Sequence, residues 1–149
     1  MTTTTQDKER SYPGSIKGIV TPRPNEKVDL PIRIFTLMDG RVGVDGFRLS
    51  AGRNAKAVFL EFPGNISNGK HDFTKDGPIT RISYTEGPFH DSPSFEGVKN
   101  GKGYVEIKFN RQEGTLFAKI VNVDLKEKHG DIELKLNVTI EAKDLLDQD

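Results

Sequence analysis

No cysteine occurs anywhere in the 149 residues. Within these residues that excludes disulfides, thiolate metal sites, a thiol nucleophile and a lipid-carrying cysteine. Net charge is absent too, because 22 Lys and Arg balance 22 Asp and Glu. No overall field therefore draws the chain to nucleic acid or to an anionic membrane, and neither is expected as a partner. No apolar run approaches the roughly 20 residues of a membrane helix. The Thr-rich, then charged stretch from Met1 to Ser11 lacks the apolar centre of a signal peptide. A cytoplasmic protein is the expectation, with export by a removed or non-standard signal as the alternative.

Repeats of roughly 20 to 50 residues, which would indicate a solenoid or propeller, are missing. So are helical periodicity, a Gly-x-Ser-x-Gly elbow and a phosphate-cradling Gly-rich loop before a helix. No cofactor and no catalytic residue is expected on these grounds.

What the chain has is alternation. Ile132, Leu134, Leu136, Val138, Ile140 and Ala142 share one face, and Glu133, Lys135, Asn137, Thr139 and Glu141 share the other. A period of two held this long predicts a β-strand with one face on a core and one in water, about 36 Å long at roughly 3.3 Å per residue. Shorter alternating runs precede it: Val28 to Ile34, Val42 with Val44, Val58 to Phe62, Ile79 to Thr85, Val105 to Phe109 and Leu116 to Ile120. The turns between them are rich in Gly, Asn and Asp, with Asp39-Gly40, Asp45-Gly46, Asp76-Gly77, Asn100-Gly101 and Gly130 as markers.

Three phase changes are legible. Phe35 and Leu37 leave the parity of Val28 to Ile34, so that strand is either covered on both faces or shifts phase. Phe47 and Leu49 leave the parity of Val42 and Val44, which predicts a bulge or turn at Asp45-Gly46. Val121, Val123 and Leu125 leave the parity of Leu116 to Ile120, which predicts a β-bulge at or near Ile120.

About eight to ten strands joined by short turns predict an all-β fold, an antiparallel β-sandwich or barrel with little or no helix. Residues 1–13 read as a disordered arm, 14–143 as a single β-domain and 144–149 as a frayed tail. The runs Val58 to Gly64, Gly69 to Phe73, Gly103 to Ile107 and Thr115 to Ile120 resemble the layout of small bacterial β-sandwich or calycin-like domains of unknown function. That resemblance rests on strand and turn patterns over about half the chain. It implies the fold and carries over no catalytic residue. Many such domains are lipoproteins, a pattern from which this cysteine-free chain departs.

The longest stretch without a pattern is 86–101, and long loops in compact domains are often functional. Its Phe89, His90, Asp91, Phe95 and Glu96 are the candidate residues for binding a protein or small ligand; the structural alternative is that Phe89 and Phe95 pin the loop to the core. His71, His90 and His129 fit no zinc spacing, and no metal is expected. For a rival function, a carbohydrate-binding protein or hydrolase with a composite acidic pocket, Glu61, Asp91 and Glu96 are the carboxylates of interest. Asn65 and Asn137 head glycosylation sequons, and exposure on a polar face suffices to explain Asn137. A non-catalytic binding or interaction domain is the leading expectation. A homodimer pairing through an edge strand, with the long C-terminal strand in that role, is a further one.

Overall fold

The computed structural model describes residues 12–22, 27–50, 54–88 and 92–149. They form eleven strands: β1 (Tyr12–Thr21), β2 (Lys27–Met38), β3 (Arg41–Ser50), β4 (Asn54–Pro63), β5 (Gly69–Thr74), β6 (Arg81–Pro88), β7 (Ser94–Gly97), β8 (Asn100–Asn110), β9 (Thr115–Glu127), β10 (Glu133–Ala142) and β11 (Leu146–Asp147). Each of β1, β2, β3, β4, β6, β7, β9 and β10 pairs antiparallel with the next, and β10 returns to β1, which closes an eight-stranded barrel. Closure selects the barrel over the sandwich and leaves the eight ring strands without the edges that an open sheet would expose. No helix among the described residues is long and apolar enough to cross a membrane.

The order is up-and-down except for β5 and β8, a pair inserted into the wall. β9 shares one edge between two partners: Thr115 to Val121 pair with β8, and Leu125 to Glu127 pair with β7. The changeover carries the bulge that the phase change near Ile120 predicts. Leu136 faces Val123 while Val138 faces Ile120, so β9 has one extra residue at Val121–Asn122. Asn122 takes a φ of 52°, and its amide donates to Asn137 Oδ1 at 2.9 Å. Asn137 thus has a structural task that exposure alone did not suggest. Gly103 lies against this bulge with φ 82°, where a Cβ would sit 2.4 Å from the Asn122 carbonyl oxygen, so only glycine fits.

The lumen is filled. Tyr84, Phe35, Phe62, Phe73 and Phe95 are each no more than 1% exposed, and Ile16, Leu30, Ile82, Val105 and Leu136 pack among them. An eight-stranded barrel is just wide enough for side chains to do this. Alternation therefore serves the core on every long strand, including β10, whose Leu134, Leu136, Val138, Ile140 and Ala142 are all buried.

Several details differ from the pattern read in the sequence. Of the expected arm, residues 1–11 lie outside the described residues, while Tyr12 is paired, buried and meets Phe35 edge-on at 6.4 Å. The tail lies against the barrel. Leu146 and Asp147 pair with Thr36 and Leu37, Leu145 and Leu146 pack against the core, and the Asp149 carboxylate accepts from the amides of Asp39 and Gly40, each at 2.7 Å. β10 is paired on both sides, so it has no free edge for a dimer; the path ends instead at β5. The patternless stretch 86–101 contains β7, four residues held between β6 and β9.

Candidate functional site

The wall formed by β2, β3, β4, β6 and β7 departs from the rule of core-facing apolar and water-facing polar residues. β2 carries one extra residue at Arg33: Ile32 faces Gly46, and Ile34 faces Asp45. This bulge is the phase change of β2. It returns Phe35 and Leu37 to the core and turns both Arg33 and Ile34 outward. β3 itself runs unbroken against β4 from Arg41 to Ser50. The break predicted at Asp45-Gly46 thus lies on the partner strand, and Phe47 and Leu49 stay on the outside. Gly46 takes the core position there, because a Cβ would lie 2.8 Å from Ile16 Cδ1.

Register then sets a row across the outer wall. Asp45 faces Phe59, Phe59 faces Ser83, and Ser83 faces Glu96. One row along, Phe47 faces Ala57 and Ala57 faces Thr85. Because Ala57 and Ser83 are small and stand between longer side chains, a cavity of about 240 Å³ opens, lined by Arg33, Asp45, Ala57, Phe59, Arg81, Ser83 and Thr85. Ile34 at 40% and Leu49 at 45% exposure extend the apolar character of this wall.

Two guanidinium groups organise the site. The bulge places Arg33 over the Phe47 ring, 4.6 Å from its centroid, and against Asp45 Oδ2 in an ion pair. Arg81 lies 5.6 Å from the Phe59 centroid and grips Glu96 with two hydrogen bonds of 2.9 and 3.0 Å. Cation–π contact and bidentate pairing both favour arginine over lysine here. Asp45 is only 8% exposed, and its Oδ1 is buried without a hydrogen-bond partner among the described residues. Burial pushes its carboxyl above the ordinary value, and the hydrogen bond and charge of Arg33 offset this only in part.

A second, larger groove of about 510 Å³ lies at the barrel end that carries the tail, with Phe109, Leu116 and Phe117 among its lining. Two of its polar side chains, Asn68 and Asn110, are engaged within the chain. Asn68 Oδ1 accepts from the Phe109 amide at 2.9 Å, and Asn110 exchanges two hydrogen bonds with Glu113, each 3.0 Å.

Of the residues expected from the sequence, Phe89, His90 and Asp91 lie outside the described residues. Phe95 belongs to the core, 1% exposed and 6.0 Å from the Tyr84 ring, the placement of a pin. Glu96 sits on the outer wall, joined to Arg81. Glu61 is the ladder partner of Arg81 and lies 4.0 Å from Arg41, so two of the three carboxylates of interest flank one arginine. His71 donates from Nε2 to the Ser67 carbonyl at 2.7 Å. Among the described residues no cluster of three or more His, Asp or Glu could hold a metal.

Sequence reading did not find Arg33, Asp45, Arg81, Ser83 or Thr85. The available signal was the parity of Phe47, Leu49 and Phe59, apolar residues on a face that should be polar. Comparison with known proteins adds nothing to this geometry: no family model, curated protein or solved structure matches the chain.

Proposed function

We propose that the chain is a non-catalytic binding domain that takes a small ligand on the outer wall of its barrel, with Asp45 in the floor of the site and Glu96 of the 86–101 stretch at its rim. The observation that carries this reading is the buried Oδ1 of Asp45, an acceptor without a partner among the described residues, beside a cavity. Leaving such a group unpaired costs about 1–3 kcal/mol, and exceptions of this kind call for a reason beyond packing. The packed apolar interior supports a site on the outside, in contrast to barrels that enclose their ligand.

Binding fits the wall better than hydrolysis. A glycosidase needs two carboxyl groups facing one space. Here Asp45 is the one carboxylate among the described residues lining the cavity, and Glu96 is held by Arg81.

Amide chemical shifts of ¹⁵N-labelled protein, titrated with fragments carrying amide, polyol, amine or carboxylate groups, test the reading. Perturbations should centre on Arg33, Asp45, Phe59, Ser83 and Thr85. Clustering at Lys27, Asn54 and Lys128, at the opposite end from the tail, would move the function to the loops there.

A further inference from the structure

The outer-wall site carries enough chemistry to name the class of its ligand, an inference that rests on the reading above. Its charges cancel locally: Arg33 is paired with Asp45, and Arg81 with Glu96. An anion drawn by the guanidinium groups meets the carboxylates beside them, and a cation drawn by the carboxylates meets the guanidinium groups. Over the faces of Phe47 and Phe59, cation–π positions are taken by the protein's own arginines. A charged ligand gains little here.

A salt bridge at the edge of a cavity does, however, present an acceptor and donors side by side. Asp45 Oδ1 can only accept while the carboxyl is ionised, the guanidinium groups can only donate, and the Ser83 and Thr85 hydroxyls can do either. The complementary ligand offers a donor next to an acceptor, both neutral, on a compact frame with an apolar face for the Phe59 edge and the Ala57 methyl. A vicinal diol on a six-membered ring has this pattern, since each hydroxyl donates and accepts. The cavity of about 240 Å³ falls below the roughly 300–1,000 Å³ of drug-sized pockets, which limits the occupant to about one such ring.

We infer that the cavity between Arg33, Asp45, Phe59, Arg81 and Ser83 binds a neutral cyclic polyol, a single pyranose unit, by matching the side-by-side acceptor and donors of the Arg33–Asp45 pair to a vicinal diol. Arg33 is half exposed, and the proposal requires its side chain to shift so that a hydroxyl reaches the buried Oδ1.

The test uses methyl glucopyranoside as the neutral probe, with glucuronate and glucosamine as charged counterparts of the same frame, read by the amide shifts of Phe59, Ser83 and Thr85. The neutral probe should perturb these residues and bind at least tenfold more tightly than either charged form. Ser83→Val, which removes a surface hydroxyl and leaves the core untouched, should weaken it roughly tenfold, as loss of one hydrogen bond does. Perturbation of the same residues by glucuronate or glucosamine at equal or higher affinity overturns the polyol assignment and leaves the outer wall as a site. No response to the neutral probe at these residues, when the fragment titration does locate ligands there, also overturns it. Fragments that cluster elsewhere defeat the underlying reading instead.

Discussion

Arg33 reaches the carboxylate of Asp45 because β2 holds one more residue than β3 needs between Ile32 and Ile34. Bulges commonly re-aim a side chain beside a functional site. In this barrel the bulge does two things at once: it corrects the phase of β2 so that Phe35 and Leu37 enter the core, and it delivers a guanidinium to the outer wall. Stability and the candidate site are coupled at that single extra residue.

Burial opposes the charged form of Asp45, which gives Asp45→Asn an expected signature in pH. The folded protein holds this proton more tightly than the unfolded chain, for which the ordinary value is 3.8. Stability due to Asp45 therefore falls as pH rises from 3.8 to the raised folded value. Urea denaturation of wild type and Asp45→Asn between about pH 4 and 7 should show the variant gaining stability relative to wild type as pH rises. At pH 7 the variant should match or exceed wild type to within about 1 kcal/mol, since a buried ion pair is weak grounds for stability. A difference independent of pH would contradict the burial argument.

Asp124 and Asp147 titrate in the opposite sense. Hydrogen bonds from Asn100 and Lys135 hold Asp124 below its ordinary value, and Arg111 does so for Asp147. Their contribution is complete above 3.8 and is lost as pH falls toward the lowered folded values. Lys135→Met should make the acid limb of a stability profile less steep by removing one of the two hydrogen bonds to Asp124. An unchanged acid limb would show that the Asn100 contact and the Lys102 charge suffice to hold it.

The bulge of β9 makes a separable prediction. Asn137→Ala removes the acceptor for the Asn122 amide and should cost about 1 kcal/mol. Asn122→Ala should cost about 1–2 kcal/mol because alanine resists positive φ, whereas Asn122→Gly should cost nothing. Equal losses for alanine and glycine at Asn122 would mean that the left-handed backbone is not what asparagine supplies.

Phe95→Ala should lose about 3–5 kcal/mol, as truncation of a buried aromatic does. It is therefore unsuited to probing binding, and a cooperative unfolding curve should show the loss directly. A loss below 1 kcal/mol would be incompatible with the contact to Tyr84 inside a filled barrel.

Truncation after Lys143 removes Leu145 and Leu146 from the end of the core, together with the caps on Asp39 and Gly40. Partial burial of two leucines is worth about 2 kcal/mol, which lowers Tm by roughly 4–8 °C in a chain of this size. An unchanged Tm would show that the strap is not part of the cooperative unit.

Much of the barrel was legible because its long strands alternate cleanly, and the phase changes at Phe35 and Ile120 located real bulges. Features that depend on distant partners were not. β7 is four residues long and is defined by its neighbours β6 and β9 rather than by its own pattern. The tail is held by Arg111 and by two turn amides more than a hundred residues upstream of Asp149, in a region whose composition alone suggests fraying. The outer-wall site draws Arg33, Asp45, Phe59 and Ser83 from four strands through their register, which no local window contains. Only the apolar residues on the wrong parity of β3 and β4 hinted that this face departs from a plain polar surface.

Intermolecular NOEs between methyl glucopyranoside and the protein test the outer-wall site most directly, because they place the ligand on particular side chains. Contacts from the sugar ring protons to the Phe59 ring, the Ala57 methyl and the Thr85 methyl are expected. Contacts to Phe109 and Phe117 instead, in the groove by the tail, would contradict the assignment and make that groove the binding face.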